Sequence, residues 1–254
     1  MLSILKRLFR IRFFRTPHKD PETLQEERWI SDFSRRKNCR FPEESSDAYE
    51  AALEKKAFRL SIKRANCMAW IEDPLYRYSD MYLEVQIALN TYDSYAAAGL
   101  QFRRVDDNSY YTVLISSKGY LRLDLIFNGT PMPLIAWTEL PDGIFEDSIF
   151  FTLRIIAVSD RISIIVNNTW VAEVSDSTIP SGKIAFTAAS YEKNDTDRPE
   201  SIVCSAYLRR ILLDSRPVEA EAAHIRWNTL IKISKEARIR LAETFYSMGQ
   251  PMSA

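Results

Sequence analysis

The sequence predicts a mainly β protein, two antiparallel sheets packed face to face. Three observations predict it. Across residues 49–213 apolar side chains recur at every second position, the period of a strand with one buried face. The runs are short and end at turn-forming clusters such as "VDDNS", "SSKG", "LPDG" and "IPSG". No helical apolar stripe interrupts the span, which disfavours alternating strands and helices. About a dozen runs exceed the seven strands of an immunoglobulin-like sandwich and require two larger sheets.

The chain starts differently. Residues 1–19 carry Lys6, Arg7, Arg10, Arg12, Arg15 and Lys19 and no acid. Met1, Ile4, Leu5, Leu8 and Ile11 fall at helical spacing, a basic amphipathic pattern suited to an anionic membrane surface. Phe13 and Phe14 break that pattern, and a loose arm is the alternative. Cations cut the apolar run, so it does not read as a secretory leader, and no stretch reaches the ~20 apolar residues of a membrane span. After Asp20-Pro21, "ETLQEERWISDFSRR" predicts a short helix over about 22–36. Residues 1–48 are therefore expected to form an N-terminal helical arm.

Within 49–213 the strands announce themselves in turn. Phe58, Leu60 and Ile62 alternate with Arg59, Ser61 and Lys63, and Met81 to Leu89 alternate with Tyr82, Glu84 and Gln86. Ala98, Leu100 and Phe102 alternate with Gly99, Gln101 and Arg103. Then follow "YYTVLIS", "YLRLDLIF", "PLIAW", "FFTLRIIAV", "RISIIV", "WVAEV", "KIAFTAAS" and "IVCSAYLRRILL". Asn167-Asn168 and Lys118-Gly119 suit the positive φ of tight hairpin turns. From Pro217 the period changes again. Ala223, Trp227, Leu230, Ser234, Ala237, Leu241, Phe245 and Met248 step at helical spacing up to Gly249. Residues 214–254 thus predict a C-terminal helix whose apolar stripe needs a partner surface.

Composition excludes several functions. Lys+Arg and Asp+Glu are both 34, so net charge is zero and nothing pulls the whole chain toward nucleic acid. Cys39, Cys67 and Cys204 are far apart and form no metal-ligand spacing; free thiols in a reducing compartment, the cytoplasm, are expected. His18 and His224 are the only histidines, which leaves little room for histidine chemistry. No metal ligand set is expected. Calcium would need converging oxygens, for which Asp106, Asp107 and Asn108 or the Asn194 to Asp197 loop are candidates; both also serve as ordinary turns.

Particular segments resemble a known family. "AAAGLQFR", "DDNSYYTVLISSKGYLRLDL", "LIAW", "LRIIAVSDRISIIVNNTWVAEV" and "IPSGKIAFTA" are similar in pattern and order to the concanavalin A-like lectin/glucanase jelly roll, in its laminin G-like and 3-keto-disaccharide-hydrolase-like branch. The resemblance spans about residues 55–213 and implies a jelly-roll sandwich that binds or cleaves glycans. The Glu-x-Asp-x-x-Glu strand of jelly-roll glucanases is missing. Glu84 and Asp124 are lone acids on their strands, and Glu72 and Asp73 point opposite ways. No catalytic residue is therefore assigned. Leu241-Ala242, Phe245, Gly249 and Ala254 resemble the first half of a tetratricopeptide repeat, whose second helix would follow Ala254.

A ligand would be met by aromatic and polar side chains on one sheet face. Strand alternation sets Gln101 and Arg103 opposite Leu100 and Phe102, and Tyr110, Tyr111, Arg122 and Trp137 are the nearest candidates on adjoining strands. Each of these also fits a structural role in a core or at an edge. "WIEDPLYRYSD" is the loop most suggestive of function. The expected function is a non-catalytic binding scaffold: a lectin-like sandwich for a glycan or protein ligand, with a helical interaction repeat behind it. A jelly-roll glycan hydrolase and a membrane-peripheral protein held by residues 1–19 are the alternatives.

Overall fold

A computed structural model describes residues 28–91, 95–141, 149–191 and 203–215. They form two antiparallel sheets. The larger takes β1 (Arg28–Ser31), β2 (Glu44–Ser45), β3 (Tyr49–Glu54), β4 (Ala57–Ile62), β6 (Met81–Thr91), β11 (Phe150–Val158), β12 (Arg161–Val166), β13 (Thr169–Ser175) and β15 (Cys204–Asp214). Its order is β13-β12-β11-β6-β15-β4-β3-β2, with β1 on the free stretch of β15 beyond β4. The smaller sheet takes β5 (Cys67–Glu72), β7 (Ala96–Asp106), β8 (Ser109–Ser116), β9 (Tyr120–Phe127), β10 (Thr130–Glu139) and β14 (Lys183–Ser190), in the order β10-β9-β8-β7-β14-β5.

The alternation read from the sequence sets the core. Phe58, Leu60, Ile62, Leu83, Val85 and Ile87 of the large sheet face Leu100, Phe102, Val113, Leu123 and Phe186 of the small one, all fully buried. Each such side chain contributes roughly 1.5–3 kcal/mol by leaving water. Turn chemistry then fixes register. Asn167 and Asn168 have φ of 44° and 67°, as a primed two-residue turn between β12 and β13 requires. Asn128-Gly129 does the same between β9 and β10, with φ of 50° and 76°. A second apolar cluster, Tyr82, Ile156, Val158 and Ile165 with Trp170 and Leu212 against it, lies on the outer side of the large sheet.

The helix expected over 22–36 is not what its described part forms. Residues 28–31 are β1, and only a short 3₁₀ turn follows at Arg36–Asn38. The reason is periodicity: Trp29 and Ser31 are buried on one side while Arg28 and Ile30 point out, a period of two. The Trp29 indole donates to the Asn38 carbonyl (3.0 Å) and its ring meets Phe41 edge-on. The Arg40 guanidinium then sits between the Trp29 and Tyr76 rings, 4.4 and 4.5 Å from their centroids.

Arg40 also donates to the Tyr78 hydroxyl (3.1 Å) and pairs with Asp73 (3.5 Å). This gives the "WIEDPLYRYSD" loop a structural part, since Tyr78 exchanges backbone hydrogen bonds with Gly182 and closes one end of the sandwich. Burial pushes the Tyr78 phenol up to about 12. The basic arm at 1–19, the C-terminal helix with its repeat-like pattern, and the Asn194 to Asp197 loop lie outside the described residues.

Candidate functional site

The outer face of the six-stranded sheet carries the most unusual chemistry among the described residues. Core residues occupy one parity, so the other parity builds the outer face. One cross-sheet row runs Glu72, Ala185, Gln101, Thr112, Asp124 and Pro133, each paired with the next. The row beside it runs Trp70, Thr187, Gly99, Leu114 and Arg122. Small side chains at Ala97, Gly99, Ala185, Thr187 and Ala189 make a low floor. Gly99 is required there: a Cβ would lie 1.9 Å from the Val113 carbonyl oxygen of the neighbouring strand.

Two bridges of aromatic and guanidinium side chains cross this floor. In the first, Arg104 lies 5.0 Å from the Trp70 ring and 5.2 Å from the Tyr110 ring, and the two rings are 6.4 Å apart. Arg104 donates to Glu72 (3.0 Å), to the Gln101 amide oxygen (3.2 Å) and to Asp107, while Lys183 donates to Glu72 (2.6 Å). In the second, Arg122 lies 5.8 Å from the Trp137 ring, which meets Tyr191 edge-on at 5.7 Å. Trp137 belongs to β10 and Tyr191 follows β14, so their contact spans β9, β8 and β7. Arg122 donates to Asp124 (2.6 Å), and that bond raises its pKa further above the ordinary value.

Beneath the bridges three polar atoms are buried without a hydrogen-bond partner among the described residues: Gln101 Nε2, Thr112 Oγ1 and Asp124 Oδ1. They occupy adjacent positions of one row. Leaving such a group unmade costs about 1–3 kcal/mol each, so a row of three is a strong indication that something else meets them. Beside the first bridge a groove of about 490 Å³ opens, lined by Trp70, Glu72, Arg104, Asp107 and Lys183, with Glu44 and Tyr49 across it.

Gln101, Tyr110, Arg122 and Trp137, singled out from the sequence, come together on this face. Arg103 and Tyr111 do not. Strict alternation would set Arg103 beside Gln101, but β7 bulges after Phe102 and Arg103 has a φ of 47°. Its side chain turns inward, fully buried, and donates to the carbonyls of Ser79 (3.1 Å) and Ile179 (3.5 Å). Arg104 takes the outer position instead. Tyr111 stacks on Phe102 in the core, donates to Asp176 and accepts from the Ile179 amide (3.2 Å). Burial, then the Asp176 bond, push its phenol up to about 12.

Sequence reasoning passed over Arg104, Thr112, Asp124 and Tyr191 as ligand contacts, and it took Trp70 as the start of the "WIEDPLYRYSD" loop, whereas Trp70 lies on β5. Parity alone would have found Thr112 and Asp124, polar residues alternating with apolar ones in "YYTVLIS" and "YLRLDLIF".

The lone acids stand far apart. Glu84 is on the outer side of the large sheet, bonded to Arg154 (2.6 Å) and Tyr82 (2.7 Å), whereas Asp124 is on the outer side of the small one. The "VDDNS" acids serve the turn: Asp106 accepts from the Asn108 amide (2.8 Å) and Asp107 takes Arg104. Among the described residues no three acids, cysteines or histidines converge as a metal site.

No family model matches the chain. A curated protein of Treponema pallidum (strain Nichols), described as a TPR repeat-containing protein, is 29% identical over 289 aligned positions that cover 94% of this chain. The chain spans 34% of that relative's length. Among solved structures, a native glycosidic hydrolase (TM-score 0.57, 12% identity) is similar over 77% of this chain and 100% of its own. A Bacillus licheniformis β-glucanase (0.56, 11%) is similar over 76% and 100%, and a carbohydrate-binding module from Bacillus subtilis (0.50, 15%) over 76% and 99%. At such identities the likeness shows the fold. This chain is a two-sheet jelly-roll sandwich of the architecture those proteins use.

Proposed function

We propose that the sandwich is a non-catalytic glycan-binding module, with the outer face of the six-stranded sheet as its site. The observation that carries this is the row of unpartnered buried atoms on Gln101, Thr112 and Asp124 beneath two aromatic bridges. A sugar offers what both features lack. Its hydroxyls donate and accept at once, and its C–H faces stack on aromatic rings. Trp70, Tyr110, Trp137 and Tyr191 supply the rings. The fold, shared with a carbohydrate-binding module and a glucanase, is consistent with this reading.

The chain is read as the recognition part of a longer scaffold. The repeat-like pattern from Leu241 and the name of the Treponema relative support helical interaction repeats behind the sandwich. A glycan array probed with the 254-residue chain tests the central reading. Binding to a restricted set of glycans, weakened by Trp70→Ala together with Trp137→Ala, is the expected result. A flat array, with the protein folded by circular dichroism, removes the glycan reading.

A further inference from the structure

We propose that this face selects an uncharged, hydroxyl-rich oligosaccharide and turns away acidic glycans, an inference that rests on the glycan-binding reading. The first argument is charge. Arg104 is committed to Glu72 and Asp107, Lys183 to Glu72, and Arg122 to Asp124. Among the described residues these three cations of the bridges and the groove meet three carboxylates. Asp106 and Glu44 beside the groove tip the balance to negative. A sugar carboxylate or sulfate would compete with a protein carboxylate for its guanidinium, exchanging one ion pair for another, and at Arg122 it would strip the buried Asp124 of its cation.

The second argument is hydrogen-bond polarity. Gln101 Nε2 can only donate, Thr112 Oγ1 can do both, and Asp124 Oδ1 can only accept if ionised. Asp124 Oδ2 accepts from Arg122 while Oδ1 beside it meets no donor among the described residues, so it is open to an incoming O–H or N–H. An anionic oxygen supplies neither and repels it; a neutral hydroxyl supplies the proton. The row therefore reads donor, either, acceptor across two strand spacings, about 10 Å. That span exceeds one hydroxyl pair and calls for several along a chain. The bridging guanidinium groups stand at the two ends, Arg104 bonded to Gln101 and Arg122 to Asp124.

The test is calorimetric titration of the full 254-residue chain at low salt. The neutral probes are the hexasaccharides of cellulose, amylose, laminarin and β-mannan. The acidic probes are oligogalacturonate and a sulfated carrageenan oligosaccharide of like length. At least one neutral probe is expected to bind and neither acidic one. Thr112→Val keeps the shape, removes the hydroxyl and should weaken neutral binding about tenfold, as should Asp124→Asn. Acidic probes binding as well as or better than neutral ones overturns the charge selection and leaves the glycan face standing. No binding by any probe overturns the glycan reading itself. Wild-type affinity in a folded Thr112→Val protein removes the row from the contact, and this variant decides should Asp124→Asn not fold.

Discussion

Arg103 and Arg104 are neighbours in sequence and stand on opposite sides of one sheet, so replacing each with Met separates stability from binding. Arg103 donates to the Ile179 carbonyl, which is buried, and to the Ser79 carbonyl, which is partly so. Met keeps the stem and its packing but offers no donor. Replacing a whole buried polar set with apolar groups can be neutral, but here both acceptors stay behind. A stranded buried carbonyl costs about 1–3 kcal/mol and a half-solvated one less, so the loss should be about 2 kcal/mol. With a urea m-value of about 3 kcal/mol/M for a domain of this size, the midpoint should fall by roughly 0.7 M. Affinity for the best glycan probe should be unchanged. Arg104→Met should do the reverse in binding, losing about tenfold or more with the Trp70–Tyr110 bridge undone. Equilibrium urea unfolding followed by Trp fluorescence, with titration of the folded variants, reads both. An Arg103→Met protein with an unmoved midpoint and lost binding would refute the facing of the bulge.

Three further outcomes follow from the same geometry. Gly182→Ala should lower the thermal midpoint sharply, because a Cβ would sit 2.3 Å from the Arg103 carbonyl carbon and 2.5 Å from the Arg104 amide nitrogen, and backbone atoms cannot give way; a melt within a degree or two of wild type would contradict this. Burial pushes the Glu84 carboxyl up, but its hydrogen bonds from Arg154 and Tyr82 outweigh that and hold it below its ordinary value of 4.5. A carboxylate so depressed adds stability above its unfolded pKa and loses it as pH falls through the folded one. The stability gap between wild type and Glu84→Gln should therefore be constant above about pH 5.5 and shrink below 4.5 in unfolding titrations. Asp73 has the opposite sign: burial raises it above its ordinary 3.8 despite Leu75 and Arg40. Its ionisation costs stability as pH rises from 3.8 through the folded value. Asp73→Asn should lack that decline, and chemical unfolding across this window measures it.

The sandwich was legible because one buried face per strand leaves a period of two, and because turns such as Asn167-Asn168 need residues that tolerate positive φ. The site was half legible. Parity sorts Gln101 and Arg122 correctly, but one inserted residue reverses everything after it on the strand. Nothing in "FRRVDD" marks the bulge. Its partner is distant: register slips opposite it between Lys183 and Ala185, where Gly182 presses on the Arg103–Arg104 backbone. That contact joins positions about eighty residues apart, beyond any local pattern. The first strand was lost for a related reason. Trp29 and Ser31 show only two buried positions, too few to outweigh a helix start at Asp20-Pro21. The meeting of Trp137 with Tyr191 across three strands depends on the small floor beneath them, a property of the assembled sheet.

Whether the face binds or cleaves turns on where its acids stand. Glycoside hydrolysis needs two carboxyl groups about 5–9.5 Å apart, on either side of the bond to be broken. Glu72 and Asp124 share one cross-sheet row but are separated by four strand spacings, about 19 Å. Glu72 and Asp107 come closer, yet the Arg104 guanidinium lies between them and fills the space a scissile bond would occupy. Glu84 is on the far side of the molecule. Glu72, Asp107 and Asp124 each hold a guanidinium or ammonium group, so their oxygens are engaged by the protein itself. Among the described residues what stays unmet is the floor row of Gln101, Thr112 and Asp124, which offers hydrogen bonds. On the proposed glycan-binding reading, the rings would take a sugar chain's faces and the row its hydroxyls.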